Sequence, residues 1–315
     1  MKRLLIWLML LLTPGAALAE LEAHFLDVGH GDCTLLLCDG EAMIIDGGPA
    51  GSSDLVFTVI RQLGITELKY AVATHPNTDH VGGLPAAFHA AQVQSLYTPV
   101  TEYNGNRFQV LMDKAAEMNV PVVTPAAGDV LALGGAEITV LSPMHAYEDV
   151  NDMSIVLRVA YGQNSFLLCG DAGKAVEAEL LSCGAPVEAD VIRVSHHGSD
   201  TASTLPFLQA VDARYAVISC SQRYDNPDEV VMARLLDTGT IPLCTSIAGD
   251  VVIRSDGTAL TVETEYHYVG NVNSNVFHRM TCHSVEKMKE RNKRTIYSPQ
   301  QAAHEGFRPC KNCSP

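Results

Sequence analysis

The segment Leu68-Lys69-Tyr70-Ala71-Val72-Ala73-Thr74-His75-Pro76-Asn77-Thr78-Asp79-His80 decides how this chain is read. Its first half is a short apolar run bounded by polar residues, the pattern of a buried strand. Its second half packs two imidazoles, a carboxylate and an amide into the six residues His75 to His80. Imidazole and carboxylate bind zinc, manganese or iron at neutral pH, and a strand end holds them rigidly at the mouth of a sheet.

The pattern recurs. Ala42-Met43-Ile44-Ile45 runs into Asp46-Gly47-Gly48, Ser165-Phe166-Leu167-Leu168-Cys169-Gly170 delivers Asp171, and Ala189-Asp190-Val191-Ile192-Arg193-Val194-Ser195 delivers His196-His197-Gly198-Ser199. Each is a hydrophobic run closed by a ligand-type residue and a glycine, and function collects on loops at strand ends. One such loop has a bland explanation in a capping Asp or a surface His. Four together point to a metal site.

In that order, Asp46, His75-x-Asn77-x-Asp79-His80, Asp171 and His196-His197 resemble the metallo-β-lactamase superfamily. Phe25-Leu26-Asp27-Val28-Gly29-His30-Gly31-Asp32, with Ser195-His196-His197-Gly198-Ser199, resembles one branch: the hydrolase domain of the competence protein ComEC (Rec2) and its stand-alone secreted relatives. The match covers roughly residues 22 to 265. It implies an αββα sandwich, to which the mix of short strands and helices is suited, and two divalent ions bridged by Asp171. One ion would be held by His75, Asn77 and Asn151, the other by Asp79, His80 and one of the paired histidines. His197 is assigned to the metal and His196 to the phosphate or leaving oxygen, an order that can be reversed. Asp46 would orient the first loop through hydrogen bonds, and Asp79, Asp46 and His196 carry the catalytic assignments. Ser199 and the amides around Gly198 are placed to steady a phosphate. His30 and Asp32 either line the cleft or belong to a plain turn marked by Gly29 and Gly31.

Two departures matter. Where the superfamily has His-x-His-x-Asp-His, the second imidazole is replaced here by Asn77. The stretch expected to supply a further metal-binding His is Asp149-Val150-Asn151-Asp152-Met153-Ser154, which offers Asn151 or Asp152 and no imidazole; His145 is a substitute or a surface histidine. An ion site so rich in oxygen favours manganese over zinc.

With 315 residues, 47% hydrophobic and 18% charged, the chain has ample material for a core. Lys2-Arg3, the apolar run Leu4 to Leu12 and Ala17-Leu18-Ala19 before Glu20 read as an export signal over residues 1–19. No other apolar run reaches the length of a membrane helix, so the mature protein is expected outside the cytoplasm without a transmembrane segment. The hydrolase domain is assigned to residues 20–267 and an appended module to 268–315. Residues 270–315 carry a balance of +5, and residues 20–269 one of −22. So acidic a domain does not attract polyanions through its general surface; affinity for DNA would come from the metals or the module.

The module contains His278-x-x-x-Cys282 and Cys310-x-x-Cys313, four ligands that suit a closed tetrahedral zinc site. So short a unit buries little apolar surface, and a metal knot supplies the missing stability. The alternative is a Cys310–Cys313 disulfide. The ending Gly306-Phe307-Arg308-Pro309-Cys310-Lys311-Asn312-Cys313 resembles the zinc-binding domain of Ada, the alkyl-transfer DNA repair protein. His278 stands where Ada has its methyl-accepting cysteine, so alkyl transfer is not implied, and a binding or structural role is. The remaining cysteines (Cys33, Cys38, Cys169, Cys183, Cys220, Cys244) are either buried thiols or disulfide partners.

The expected function is an exported, metal-dependent phosphodiesterase or nuclease acting on DNA or a related phosphodiester through a metal-activated water. The competing readings are the same fold acting on another ester, such as teichoic-acid phosphorylcholine or a β-lactam, and a non-catalytic protein that binds nucleic acid or the cell surface.

Overall fold

Short apolar runs punctuated by turns build two stacked sheets in the computed structural model, which describes residues 20–315 except Gln222 and Asp225. The export signal read over residues 1–19 lies outside the described residues. One sheet runs, edge to edge, Leu260–Thr264, Val251–Ser255, Leu21–Phe25, Thr34–Cys38, Glu41–Ile45, Tyr70–Val72, Leu96–Tyr97 and Val122–Val123. The other runs Ile241–Cys244, Tyr215–Ile218, Val191–Arg193, Asn164–Leu168, Val156–Tyr161, Ala136–Ser142 and Val130–Leu133. In both, the part that carries the site is parallel: Glu41–Ile45 beside Tyr70–Val72, and Asn164–Leu168 beside Val191–Arg193.

Alternation along each strand sorts side chains between two faces. Leu36, Met43, Ile45, Phe166, Leu168, Val191 and Val217 meet between the sheets. Leu35, Ile44 and Ala71 face outward and are covered by Ser53–Gln62, Pro85–Ala90 and Asn106–Glu117 through Val56, Ile60, Phe88, Phe108 and Leu111. Leu167, Ile192 and Ala216 are covered likewise by Lys174–Cys183, Leu205–Val211 and Glu229–Asp237 through Val176, Phe207 and Leu235. Strands buried on both faces must be apolar at nearly every position, which is why they read as continuous runs rather than alternating ones. The layering is the αββα sandwich expected from the sequence. Among the described residues, no helix is long and apolar enough to cross a membrane, and all nine cysteines are free thiols.

After Thr264 the chain leaves the sandwich and forms a separate sheet of Lys293–Ile296, Tyr268–Asn271, Val276–Arg279 and Arg308–Pro309. Its core is small: Val269, Val285 and Met288 pack around Cys282 and Cys310, and Phe277, Ile296, Ala302 and Phe307 form a second nucleus. The basic stretch after Cys282 is rich in helix-forming Lys, Glu and Arg but is mostly not helical. It holds one turn of helix, His283–Glu286, and then the strand Lys293–Ile296, whose backbone is claimed by pairing with Tyr268–Asn271. Tyr297 packs against the core between the two large sheets, so the module is docked on the sandwich.

Candidate metal centre

The parallel strands end on one edge of the sandwich, and their loops converge there, as ligand-binding loops do at the carboxyl ends of such strands. Asp171 lies at the centre. Its Oδ1 is 3.3 Å from His80 Nε2; its Oδ2 is 3.6 Å from His75 Nε2 and 3.8 Å from both His196 Nε2 and His197 Nε2. His197 Nε2 is also 3.3 Å from Asp79 Oδ2, which is 3.7 Å from His30 Nε2.

These atoms are held from behind. His80 Nδ1 donates to Asp46 Oδ2 (2.9 Å), and Asp46 accepts at the same time from the Thr74 hydroxyl and amide. His75 Nδ1 is 3.1 Å from Thr74 Oγ1 and 3.4 Å from Ser154 Oγ, and Ser154 Oγ accepts from the Asp171 amide. His197 Nδ1 donates to the Ser219 carbonyl at 3.0 Å and lies 3.3 Å from Asp32 Oδ1. Every Nδ1 with a partner on the protein side leaves its Nε2 facing the cleft, the arrangement that fixes the tautomer of a metal-binding imidazole. Asp32 in turn forms a buried ion pair with Arg193, whose Nη1 donates to the Gly170 carbonyl beside Asp171.

Backbone conformation divides the labour of the two adjacent histidines. His196 and His197 both have positive φ (50° and 54°), a conformation that costs non-glycine residues about 1–3 kcal/mol each. It is held by His196 N donating to Gly170 O and Ser195 Oγ to Ala172 O. His197 is thereby sunk in the cluster with no exposure, while His196 lines the cleft, its Nδ1 2.8 Å from Thr201 Oγ1.

Asn77 and Asn151 are brought together, but by a bond to each other: Asn77 Nδ2 donates to Asn151 Oδ1 at 2.7 Å. His145 is on the surface, 3.1 Å from Glu179. Arg193 was not singled out from the sequence, though a signal existed. It shares its strand face with the buried Val191 and immediately precedes the histidine loop. Thr74, Ser154 and Ser219 carry no sequence signal of their roles.

The electrostatics follow from the packing. Burial, reinforced by His80, pushes the His75 imidazole down to about 4. For His80, burial acts in the same direction but the carboxylates of Asp171 and Asp46 outweigh it and hold the ring well above its ordinary value. Burial would raise Asp171, yet His80, His197 and His75 hold it well below the usual carboxylate range. Asp79 is lowered for the same reason, with burial opposed by His197 and His80. Burial and His197 lower His30.

Whether divalent ions fit can be judged from the atoms left over. His75 Nε2, His80 Nε2, His197 Nε2 and Asp171 Oδ1 are buried and lack hydrogen-bond partners, which is costly unless something else satisfies them. Metal–ligand bonds of 2.0–2.1 Å in a tetrahedron separate ligand atoms by about 3.3–3.4 Å, close to the separations found here. Three overlapping trios, His75 with His80 and Asp171, Asp32 with His80 and His197, and His30 with Asp79 and His197, each keep their ligand atoms within 4.8 Å of one another. The donor set fits. With Asn77 tied to Asn151, the oxygen-rich argument for manganese loses its footing: each trio offers two imidazoles and a carboxylate, which suits zinc as well. In the module, His278, Cys282, Cys310 and Cys313 come equally close, a donor set for a tetrahedral zinc.

Comparison with known proteins agrees with this geometry. Residues 26–222 match the metallo-beta-lactamase superfamily, and residues 262–315 match the metal binding domain of Ada. ComE operon protein 3 of Bacillus subtilis is 27% identical over 239 residues, covering 69% of this chain and 31% of that protein. Recombination protein 2 of Haemophilus influenzae is 28% identical over 238 residues, covering 73% of this chain and 28% of that protein. The chain thus spans about a third of the length of these relatives. Among solved structures, the metallo-beta-lactamase fold protein YhfI from Bacillus subtilis superposes with a TM-score of 0.53 at 14% identity, covering 75% of this chain and all of that one. Igni18, a metallo hydrolase from Ignicoccus hospitalis, gives 0.51 at 13% identity over 73% of this chain and 98% of that one. With the family match extending over more than half its length, the chain belongs to the metallo-beta-lactamase superfamily.

Proposed function

We propose that this protein is an exported metal-dependent phosphodiesterase that cleaves DNA or a related phosphodiester polymer. The observation that carries the hydrolytic reading is the convergence of unsatisfied Nε2 and carboxylate atoms on Asp171, beside a cleft wall that includes His196, Ser199 and Thr201. His75, His80, Asp79, His197 and Asp171 would hold the ions, with Asp171 between them. Bound there, the ions would lower the pKa of a water to near neutrality and polarise a phosphoryl oxygen.

The chain's own residues set up the rest. Asp46 and Ser219 O fix the ring orientations of His80 and His197. His196, with its Nε2 toward the cleft, is placed to donate to a phosphoryl or leaving oxygen, and Thr201 Oγ1 holds its other nitrogen. Ser199 Oγ, 3.1 Å from Thr201 Oγ1, can steady the same group. Fold does not choose the electrophile. The phosphodiester is supported by relatives named for competence and recombination, and the exported location by the signal-like residues 1–19.

A panel with bis-p-nitrophenyl phosphate, single-stranded DNA and nitrocefin, each with manganese or zinc, tests this reading. Hydrolysis of the two phosphodiesters without nitrocefin turnover is expected. Preferential turnover of nitrocefin, or none of any substrate by the fully metal-loaded protein, would overturn it.

A further inference from the structure

The loop Asp27–Cys33 is pressed against the metal centre by its backbone. Asp32 N donates to Asp79 O at 3.1 Å, and Gly48 N to Asp32 O at 2.6 Å. Gly31 makes that approach feasible: it has φ +135°, and a Cβ there would lie 2.2 Å from Asp79 O. Only a residue without a side chain lets two backbones meet so closely. The consequence is that His30, one residue earlier, is carried up to Asp79 and His197.

There the His30 ring is unsatisfied. Its Nδ1 is buried without a hydrogen-bond partner, and its Nε2 has Asp79 Oδ2 at 3.7 Å, beyond hydrogen-bonding distance. The ring packs on His197 with centroids 4.3 Å apart and on Tyr224 at the same separation, so it is positioned rather than loose. A half-buried imidazole held by two rings and bonded to nothing lacks a partner that can take its lone pair. His197 Nε2, 3.3 Å from Asp79 Oδ2, is likewise buried without a hydrogen-bond partner of good geometry.

We propose that His30 is a protein ligand of the second ion, held jointly with Asp79 and His197, while His75, His80 and Asp171 hold the first. Asp171 Oδ2, 3.8 Å from His197 Nε2, links the two. The first ion would then have two imidazoles and Asp171, and the second two imidazoles and Asp79 with Asp171 shared between them, leaving positions open for water and substrate. In this arrangement His80 takes the place expected for Asn77 on the ion of His75, His30 takes the place expected for His80 on the ion of Asp79, and Asn77 and Asn151 are free to bond to each other. The assignment rests on reading the cleft as a metal centre, and not on the identity of the substrate.

The test is metal content rather than turnover. The full chain and its His30→Ala and His30→Gln variants are equilibrated with zinc at buffered free concentrations, and bound metal is measured by elemental analysis. His30→Ala is expected to hold one ion fewer than the unmodified chain at free zinc that saturates the latter, with affinity for that ion at least about tenfold weaker. Equal content and affinity within twofold would overturn the assignment and leave His30 a substrate contact. Should the variants misfold, anomalous scattering from zinc-loaded crystals of the unmodified chain decides. An ion about 2.0–2.1 Å from a His30 nitrogen supports the assignment; an ion bound to Asp79 and His197 with His30 out of bonding range, or no ion there, overturns it. If His30→Ala loses one ion and neither protein cleaves a phosphodiester, the ligand stands and the substrate reading falls.

Discussion

Asp46 Oδ2 lies 2.9 Å from His80 Nδ1, with neither residue exposed, and the same carboxylate takes the Thr74 amide at 2.8 Å and the Thr74 hydroxyl at 2.7 Å. Asp46 thus ties the end of its own strand to the neighbouring strand and forces His80 to present its Nε2 to Asp171. Asp46→Asn leaves one acceptor oxygen where three donors converge. It is expected to weaken metal binding by about 10–100-fold, with turnover restored in part by excess metal. Competition titration against a chelating indicator measures this; unchanged affinity would remove Asp46 from the orienting role.

Metal uptake should expel a proton. Because Asp171 and Asp46 outweigh burial and hold His80 above its ordinary value of 6.5, its ring is charged at pH 7 in the metal-free protein. His75, pushed down to about 4, is already neutral and has no proton to give. The metal-free fold therefore draws stability from His80 that is fully present below pH 6.5 and is lost as pH rises through the elevated value. Metal affinity runs the opposite way and strengthens with pH up to that value. Calorimetric titrations at pH 7 in two buffers of different ionisation enthalpy should give different apparent heats. Identical heats would mean that no proton leaves.

The strand ends were legible because each is written locally: Ile44-Ile45-Asp46, Val72-Ala73-Thr74-His75 and Leu167-Leu168 up to Asp171 change from apolar to ligand chemistry within a few residues. The layers followed from the same runs. What the sequence hid depends on segments far apart. Asn77 bonds Asn151 across 74 positions, and nothing in either stretch announces it. His30 reaches Asp79 only because the loop behind Gly31 is bonded to the Asp79 carbonyl. Which of His196 and His197 is buried is set by left-handed backbone at both, a conformation no propensity favours. The basic stretch after Cys282 has helix-forming Lys, Glu and Arg, yet sheet pairing overrides that local preference.

The Asn77–Asn151 pair makes the original ligand expectation testable. If the two amides serve only each other, Asn151→Ala should cost a hydrogen bond, about 0.5–1.5 kcal/mol, and leave metal content unchanged. By contrast, Asp171→Ala removes the carboxylate between the trios and should abolish turnover and reduce bound metal. Elemental analysis of the two variants side by side separates these outcomes. Metal lost from Asn151→Ala would return that residue to the ligand set.

Arg193 and Asp32 form a buried ion pair at the base of the site, each only 2% exposed. Removing one partner leaves the other charge buried, so Arg193→Met should destabilise the fold by about 3–5 kcal/mol. Arg193→Met with Asp32→Asn should recover part of that loss, because no uncompensated charge remains. Urea unfolding in the presence of a chelator isolates this effect from metal binding. A double variant no more stable than Arg193→Met would show that the pair's electrostatics are not what the single change disrupts.

The module permits a separation of structure from recruitment. Cys310→Ser removes one ligand of the His278, Cys282, Cys310 and Cys313 group, around which half of the module's small core is packed. It should release one zinc and make residues 268–315 protease-sensitive, while bis-p-nitrophenyl phosphate hydrolysis in the sandwich stays almost intact. The module's charge adds a second expectation. Lys293 and Arg294 are engaged by Glu290 and Glu305, but Lys287, Lys289, Arg291, Arg308 and Lys311 are exposed and form no ion pair among the described residues. If all five reach phosphates of a single strand, log Kobs against log salt should fall with a slope of about −3.5. The strongly acidic sandwich supplies no such term, so Cys310→Ser and a chain ending at residue 267 should lose both the affinity and the slope. Binding of single-stranded DNA by the truncated chain with unchanged affinity and salt slope would assign recruitment to the metal cleft. Loss of DNA binding without loss of bis-p-nitrophenyl phosphate turnover would assign it to the module.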